Sequence, residues 1–135
     1  MPTAVVQAAD LTALQALCRE IVVSRPQLDF AARLTAASMP GIAAATELVA
    51  RFAQYGAGVR AAQAMILGAK ARALLAGRAN VAFEDLRAVA LPALRHRIVL
   101  NYEGEAAGVS TDEIVNDLLE RVSENSKAVD SALGR

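Results

Sequence analysis

Leucines at 11, 14 and 17 and isoleucine at 21 recur at three- and four-residue steps, which predicts an amphipathic helix over about residues 8–19. Asp10 falls in its first turn, where a carboxylate suits the helix dipole. Ile21-Val22-Val23 then reads as a short extended segment. Ser24-Arg25-Pro26-Gln27 combines a serine cap, a proline inside the first turn and a glutamine able to reach back. A second helix therefore starts there and runs to about residue 37, burying Leu28, Ala31, Ala32 and Leu34 or Thr35. Met39-Pro40-Gly41 breaks it. Residues 44–55 are a candidate helix through Leu48, Val49, Phe52 and Tyr55. Gly56-Ala57-Gly58 is a turn, and a third long helix follows over about residues 59–76, stopped by Gly77 as a left-handed cap. Its expected packing face is Ala61, Ala64, Met65, Gly68, Ala71 and Leu75, with Leu67 and Leu74 beside it.

Val81 reads as extended and able to pair with the Val22 segment in a two-strand bridge. A further helix begins near Phe83, with Glu84 and Asp85 in its first turn and Leu86, Val89 and Ala90 following. Pro92 interrupts its hydrogen-bond ladder, so Leu94 to Ile98 is expected to form a separate turn. A loop covers residues 101–109. Ser110-Thr111-Asp112-Glu113 is a second capping box, opening a helix with Ile114, Val115, Leu118, Leu119 and Val122 on one stripe. The polar tail from Ser123 is expected to fray. The pattern describes one all-α domain over residues 1–135, with an ordered core over about 8–122. Its architecture is a small bundle of five or six helices with one short two-strand bridge.

Composition sharpens this picture. Hydrophobic residues fill 55% of positions and aromatics 4%, and alanine is the commonest residue, so the helices can approach closely. Fourteen basic and fourteen acidic side chains cancel, which removes the electrostatic excess that nucleic acid or an anionic membrane surface would require. No apolar run reaches the roughly 18–20 residues of a membrane span, and the first residues lack the basic-then-apolar order of a signal peptide. Cytoplasm is the expected location.

Self-contained chemistry finds no support. A phosphate-binding P-loop requires Gly-Lys-Ser/Thr, but Lys70 follows Gly68-Ala69 and is followed by Ala71, and Lys127 lies in the tail. Glu84-Asp85 and Asp112-Glu113 open helices, where carboxylates serve the dipole. His96 and Cys18, the sole histidine and cysteine, cannot make a zinc site, and no metal site is expected. Cys18 reads as a buried thiol and His96 as a packed or capping imidazole between two arginines. Those arginines, Arg95 and Arg97, read as braces for a helix end or as contacts to a neighbouring subunit. Arg60 stands apart. It sits in the first turn of an alanine-rich helix, just after Gly56-Ala57-Gly58, where a cation is unfavourable to the dipole but free N–H groups favour an anion. The residues alone leave open whether it is a solvated arginine or an anion contact.

The run GAGVRAAQAMILGAKARALLAGR, followed by NVAFEDLRAVALPALRHRIVLNYEGEAAGVSTDEI, resembles the carboxy-terminal lid of MoxR-type AAA+ ATPases. The resemblance extends over about residues 5–119 and is strongest over 56–114. It implies that Arg60 matches the sensor-2 arginine of the family's Gly-Ala-Ser/Gly-Pro-Arg motif, which reaches toward the γ-phosphate of ATP. Val59 stands where the family usually has proline, and Ala82 where it often has a serine or threonine cap. Leu94-Arg95-His96-Arg97 matches the family's LRHR segment.

The resemblance implies a lid that couples ATP binding and hydrolysis to conformational change in chaperone-like protein remodelling. ATP and magnesium would belong to a separate AAA+ core domain, which this chain is expected to lack. The chain by itself is therefore expected not to be an enzyme and to need no cofactor. Implied partners are that core, a homo-oligomeric ring, often a hexamer, and proteins with von Willebrand factor A domains. Two rival readings are a stand-alone helical interaction module reusing the lid fold, and a helix-turn-helix nucleic-acid binder, which the neutral charge disfavours.

Overall fold

The computed structural model describes residues 5–125. Seven helices and two very short strands follow in the order α1 (Ala8–Glu20), α2 (Arg25–Ala37), α3 (Glu47–Phe52), β1 (Ala53–Tyr55), α4 (Val59–Leu75), α5 (Phe83–Leu94), β2 (Val99–Leu100), α6 (Tyr102–Ala106) and α7 (Thr111–Arg121). The fold is a mostly helical bundle in which five helices carry the architecture and α3 and α6 are single short turns.

Helix starts follow their caps. Ser24 N–H donates to Gln27 Oε1 at 2.8 Å, and the Gln27 amide also donates to Val81 O at 2.6 Å, tying the start of α2 to the segment before α5. Ser110 and Glu113 exchange the reciprocal bonds of the second box at 2.6 and 3.2 Å. Gly77 closes α4 at φ 68°, in the left-handed region. The expected bridge forms with a register one residue earlier: Val22 pairs in parallel with Asn80, through Val22 N to Ala79 O at 2.9 Å and Val81 N to Val22 O at 3.0 Å.

The centre of the bundle is the α4–α5 hairpin, against which α2 and α7 pack. Phe30, Leu34, Met65, Leu86, Leu94, Ile114 and Leu118 are fully enclosed. Phe30 meets the Phe83 ring edge to face at 5.7 Å. In α4 the enclosed row is Ala61, Met65, Ala69 and Ala73, an uninterrupted four-residue spacing that forms one ridge. The expected face was different. Ala61 and Met65 belong to it, but Ala71 is only half-buried and Leu75 is 88% exposed. Alanine marks both sides of this helix, so the pattern cannot tell them apart.

Other departures have similar causes. Ala32 is exposed and Leu28 partly so, while Phe30 holds the centre of the α2 face. Leu11, Leu14 and Leu17 lie on the surface of α1, whose single buried residue is Cys18. The candidate helix over 44–55 stops at Phe52, and Ala53–Tyr55 instead pairs antiparallel with Val99–Leu100. Pro92 lies inside the last turn of α5, which continues to Leu94, and the expected turn follows over residues 95–97, with Arg97 N donating to Leu94 O at 2.9 Å. Residues 102–106 are helical rather than loop, with Asn101 capping through its side chain to Gly104 N at 2.8 Å. The tail expected to fray from Ser123 is held at its first two residues, since Arg33 donates to Ser123 O and Glu124 O at 2.7 and 2.9 Å. Residues 126–135, including Lys127, lie outside those described.

Candidate functional site

The turn before α4 is built by close approach. A Cβ on Gly56 would sit 2.4 Å from Ser38 O and 2.7 Å from Met39 Cα, so only glycine lets this segment cross the end of α2. Ser38, fully buried, then fixes the turn: its hydroxyl donates to Thr35 O at 2.6 Å and accepts from Ala57 N at 3.0 Å. Gly58 follows with φ 69° and ψ 175°, a conformation open essentially to glycine alone. β1 delivers the chain to this turn and is itself fastened by Asn101 N donating to Phe52 O at 2.8 Å. Val59, standing where a proline is usual, thus enters a turn already set by Gly58 and by the Ser38 clamp.

Arg60 occupies the second position of α4. It is exposed, and its guanidinium makes no hydrogen bond or ion pair among the described residues. Gly58 offers no side-chain cap; Ala61 N donates to Gly58 O at 3.1 Å, which leaves the Val59 and Arg60 N–H groups without a partner among the described residues. Guanidinium and helix start therefore place donors and positive charge at the same end of α4. That arrangement suits a phosphate or carboxylate delivered from outside the bundle.

The arginines near the end of α5 behave differently. Arg95 makes a two-pronged bond to Asp112, at 2.9 and 2.7 Å, bracing the end of α5 against the start of α7. Arg97 folds back, its Nε donating to Ala93 O at 3.1 Å. His96 Nδ1 lies 3.1 Å from Pro92 O, at the helix end. None of the three makes a hydrogen bond to Arg60. Lys70 caps α1, its Nζ donating to Arg19 O at 2.9 Å.

A buried carboxylate with a lowered pKa is also structural. Asp85, 2% exposed, receives both Arg78 guanidinium nitrogens at 2.8 Å and the Ala82 N–H at 2.8 Å. Those bonds, the Arg78 pair foremost, hold its pKa below the ordinary carboxylate value. The carboxylate supplies half of a capping box for α5, which explains how Ala82 can stand at the cap. No group of three or more His, Cys, Asp or Glu among the described residues could hold a metal ion. No helix among them is long and apolar enough to cross a membrane.

The pattern of the chain singled out the glycines and Arg60 but missed Ser38. A serine closing an alanine-rich helix ahead of Met-Pro-Gly was the available signal.

Comparison with known proteins places this geometry in a family. A family model described as the AAA lid domain matches residues 45–118, which is more than half of the chain. Chaperone MoxR1 of Mycobacterium tuberculosis is 29% identical over 119 residues, covering 88% of this chain and 32% of that protein. A crystal structure of a candidate ATPase from Cytophaga hutchinsonii superposes with a TM-score of 0.82 at 33% identity, covering 88% of this chain and 36% of that one. The chain spans about a third of the length of either relative.

Proposed function

The chain belongs to the AAA lid domain family, as a lid of the MoxR-type AAA+ ATPases, and on that footing we propose that Arg60 is its sensor-2 residue. In this reading ATP and magnesium sit on a P-loop core domain, and Arg60 reaches the terminal phosphate from across the domain boundary. Arginine suits that work because its planar fork stays charged and can bond two phosphate oxygens. The Val59 and Arg60 N–H groups at the start of α4 add to the same field. Loss of the terminal phosphate removes the anion that holds Arg60, and the lid is released. Chaperone-like remodelling follows from cycles of that closure. The reading extends to a homo-oligomeric ring, a hexamer, acting in the cytoplasm with a von Willebrand factor A domain protein.

The observation that carries this reading is the exposed Arg60 guanidinium, unpaired among the described residues, on a turn clamped by Ser38. A solvated arginine of no consequence would need no such setting, whereas a phosphate contact requires a fixed origin. In the intact ATPase, Arg60→Ala should lower kcat by about a hundredfold or more, the low end for removing a donor that meets transition-state charge. The thermal midpoint should move little, because Arg60 is exposed and makes no hydrogen bond or ion pair among the described residues. Unchanged turnover rejects the assignment. The chain by itself should show neither ATP turnover nor micromolar ATP affinity in calorimetric titration, and either result would refute its being a lid without its own nucleotide site.

A further inference from the structure

Two consecutive residues at the end of α2 hold two consecutive residues of the turn before α4. Ser38 holds Ala57 through its hydroxyl, and Met39 holds Gly56 by contact. The point that a Gly56 Cβ would occupy lies 2.7 Å from Met39 Cα and 2.6 Å from its Sδ, so the sulfur rests on the Gly56 backbone with no room for an atom between. Met39 N donates to Ala36 O at 2.9 Å, which ties the residue to the end of α2. A thioether suits this position because it is apolar, soft and adaptable in shape. Met39 is also 38% exposed, so solvent reaches the side chain. Of the other two methionines, Met65 is fully enclosed in α4 and Met1 lies outside the described residues.

A side chain that small solutes can reach, yet seated on backbone, is a point where oxidation changes the turn. Hydrogen peroxide transfers one oxygen to Sδ: an S–O bond forms as the O–O bond breaks, sulfur gives up two electrons, and the other oxygen collects the proton and leaves as water. The product is polar and chiral where the thioether was apolar. An oxygen set toward Gly56 collides with backbone. One set toward solvent draws a hydrated S=O outward and lifts the side chain from the glycine. Either epimer leaves the Ser38 hydroxyl to hold the turn without its neighbour. Each epimer has its own reductase, so the change is reversible.

We propose that Met39 is a site of peroxide oxidation, and that its sulfoxide loosens the Gly56–Gly58 turn from which Arg60 starts. The loosening concerns this chain by itself; only its effect on ATP turnover rests on the sensor-2 reading. Brief treatment of the folded chain with hydrogen peroxide should add one oxygen at Met39, located by peptide mass spectrometry, before Met65 changes. Amide exchange at Ala57 should then quicken about tenfold, and return to its starting rate after treatment with both sulfoxide reductases. Met39→Leu keeps the bulk without the oxidisable sulfur, so its Ala57 exchange should not respond to peroxide. Met39→Gln sets a polar group there without oxidant and should reproduce the faster exchange. An oxidised Met39 with unaltered Ala57 exchange overturns the proposal. So does a Met39→Leu chain that loosens as much as wild type, or a Met39 oxidised no sooner than Met65. In the intact ATPase, Met39→Gln should lower turnover about tenfold or more, the scale of a displaced contact. Full turnover with a loosened turn would instead count against Arg60 as the sensor.

Discussion

Ser38→Ala removes one oxygen and tests the clamp beneath the candidate site. Two bonds go with it, and they are not equivalent. Thr35 O, which the hydroxyl reaches at 2.6 Å, also accepts the Ser38 N–H at 3.2 Å and so remains satisfied. Ala57 N–H has only the hydroxyl, at 3.0 Å, and Ala57 is 7% exposed, so water does not readily replace the lost acceptor. An orphaned buried amide costs about 1–3 kcal/mol. At about 2 kcal/mol, a domain of this size should lose roughly 5–10 °C from its thermal midpoint. Calorimetry measures that loss, and amide exchange locates it: Ala57 should lose protection by about thirtyfold, as 2 kcal/mol of easier opening requires. A midpoint within a degree of wild type, with Ala57 still protected, would refute the claim that this hydroxyl secures the turn. In the intact ATPase the same variant should lower turnover with Arg60 still in place.

Two further outcomes follow from the geometry. Gly56→Ala should cost about 1–3 kcal/mol in urea unfolding, since the new methyl meets backbone. Met39→Ala should not rescue it, because Ser38 O at 2.4 Å and Met39 Cα at 2.7 Å persist after the Met39 side chain is gone. Asp85 has a folded pKa depressed chiefly by its bond to Arg78, so its contribution is fully present above the unfolded value, about 3.9, and is lost as pH falls through the lower folded value. Asp85→Asn should therefore lower the midpoint at pH 7, and the two proteins should converge in strong acid; parallel curves across that range would contradict the linkage.

What the chain discloses about itself depends on how local the signal is. The starts of α2 and α7 are legible because Ser24 with Gln27, and Ser110 with Glu113, complete their bonds within four residues. Gly77 and the Gly56–Gly58 turn are legible because few residues other than glycine accept those conformations. The buried face of α4 is not, since alanine carries almost no difference between inside and outside. The short pair β1–β2 escaped because it is three residues set against two, fastened by Asn101 some fifty positions from Arg51 and Phe52. At the candidate site Arg60 is visible as a cation where the helix dipole disfavours one. Ser38 and Asp112 become visible only when the fold brings them to Ala57 and Arg95.

The row Ala61, Ala69 and Ala73 gives α4 an unusual mechanical character. On either side of the enclosed Met65 these residues have no rotamers to rearrange, so the helix is held against its neighbours like a stiff beam. The helix runs without interruption from Val59 to Leu75 and closes at Gly77. There Arg78 and Asp85 bolt the beam to α5, joining the two helices into one unit.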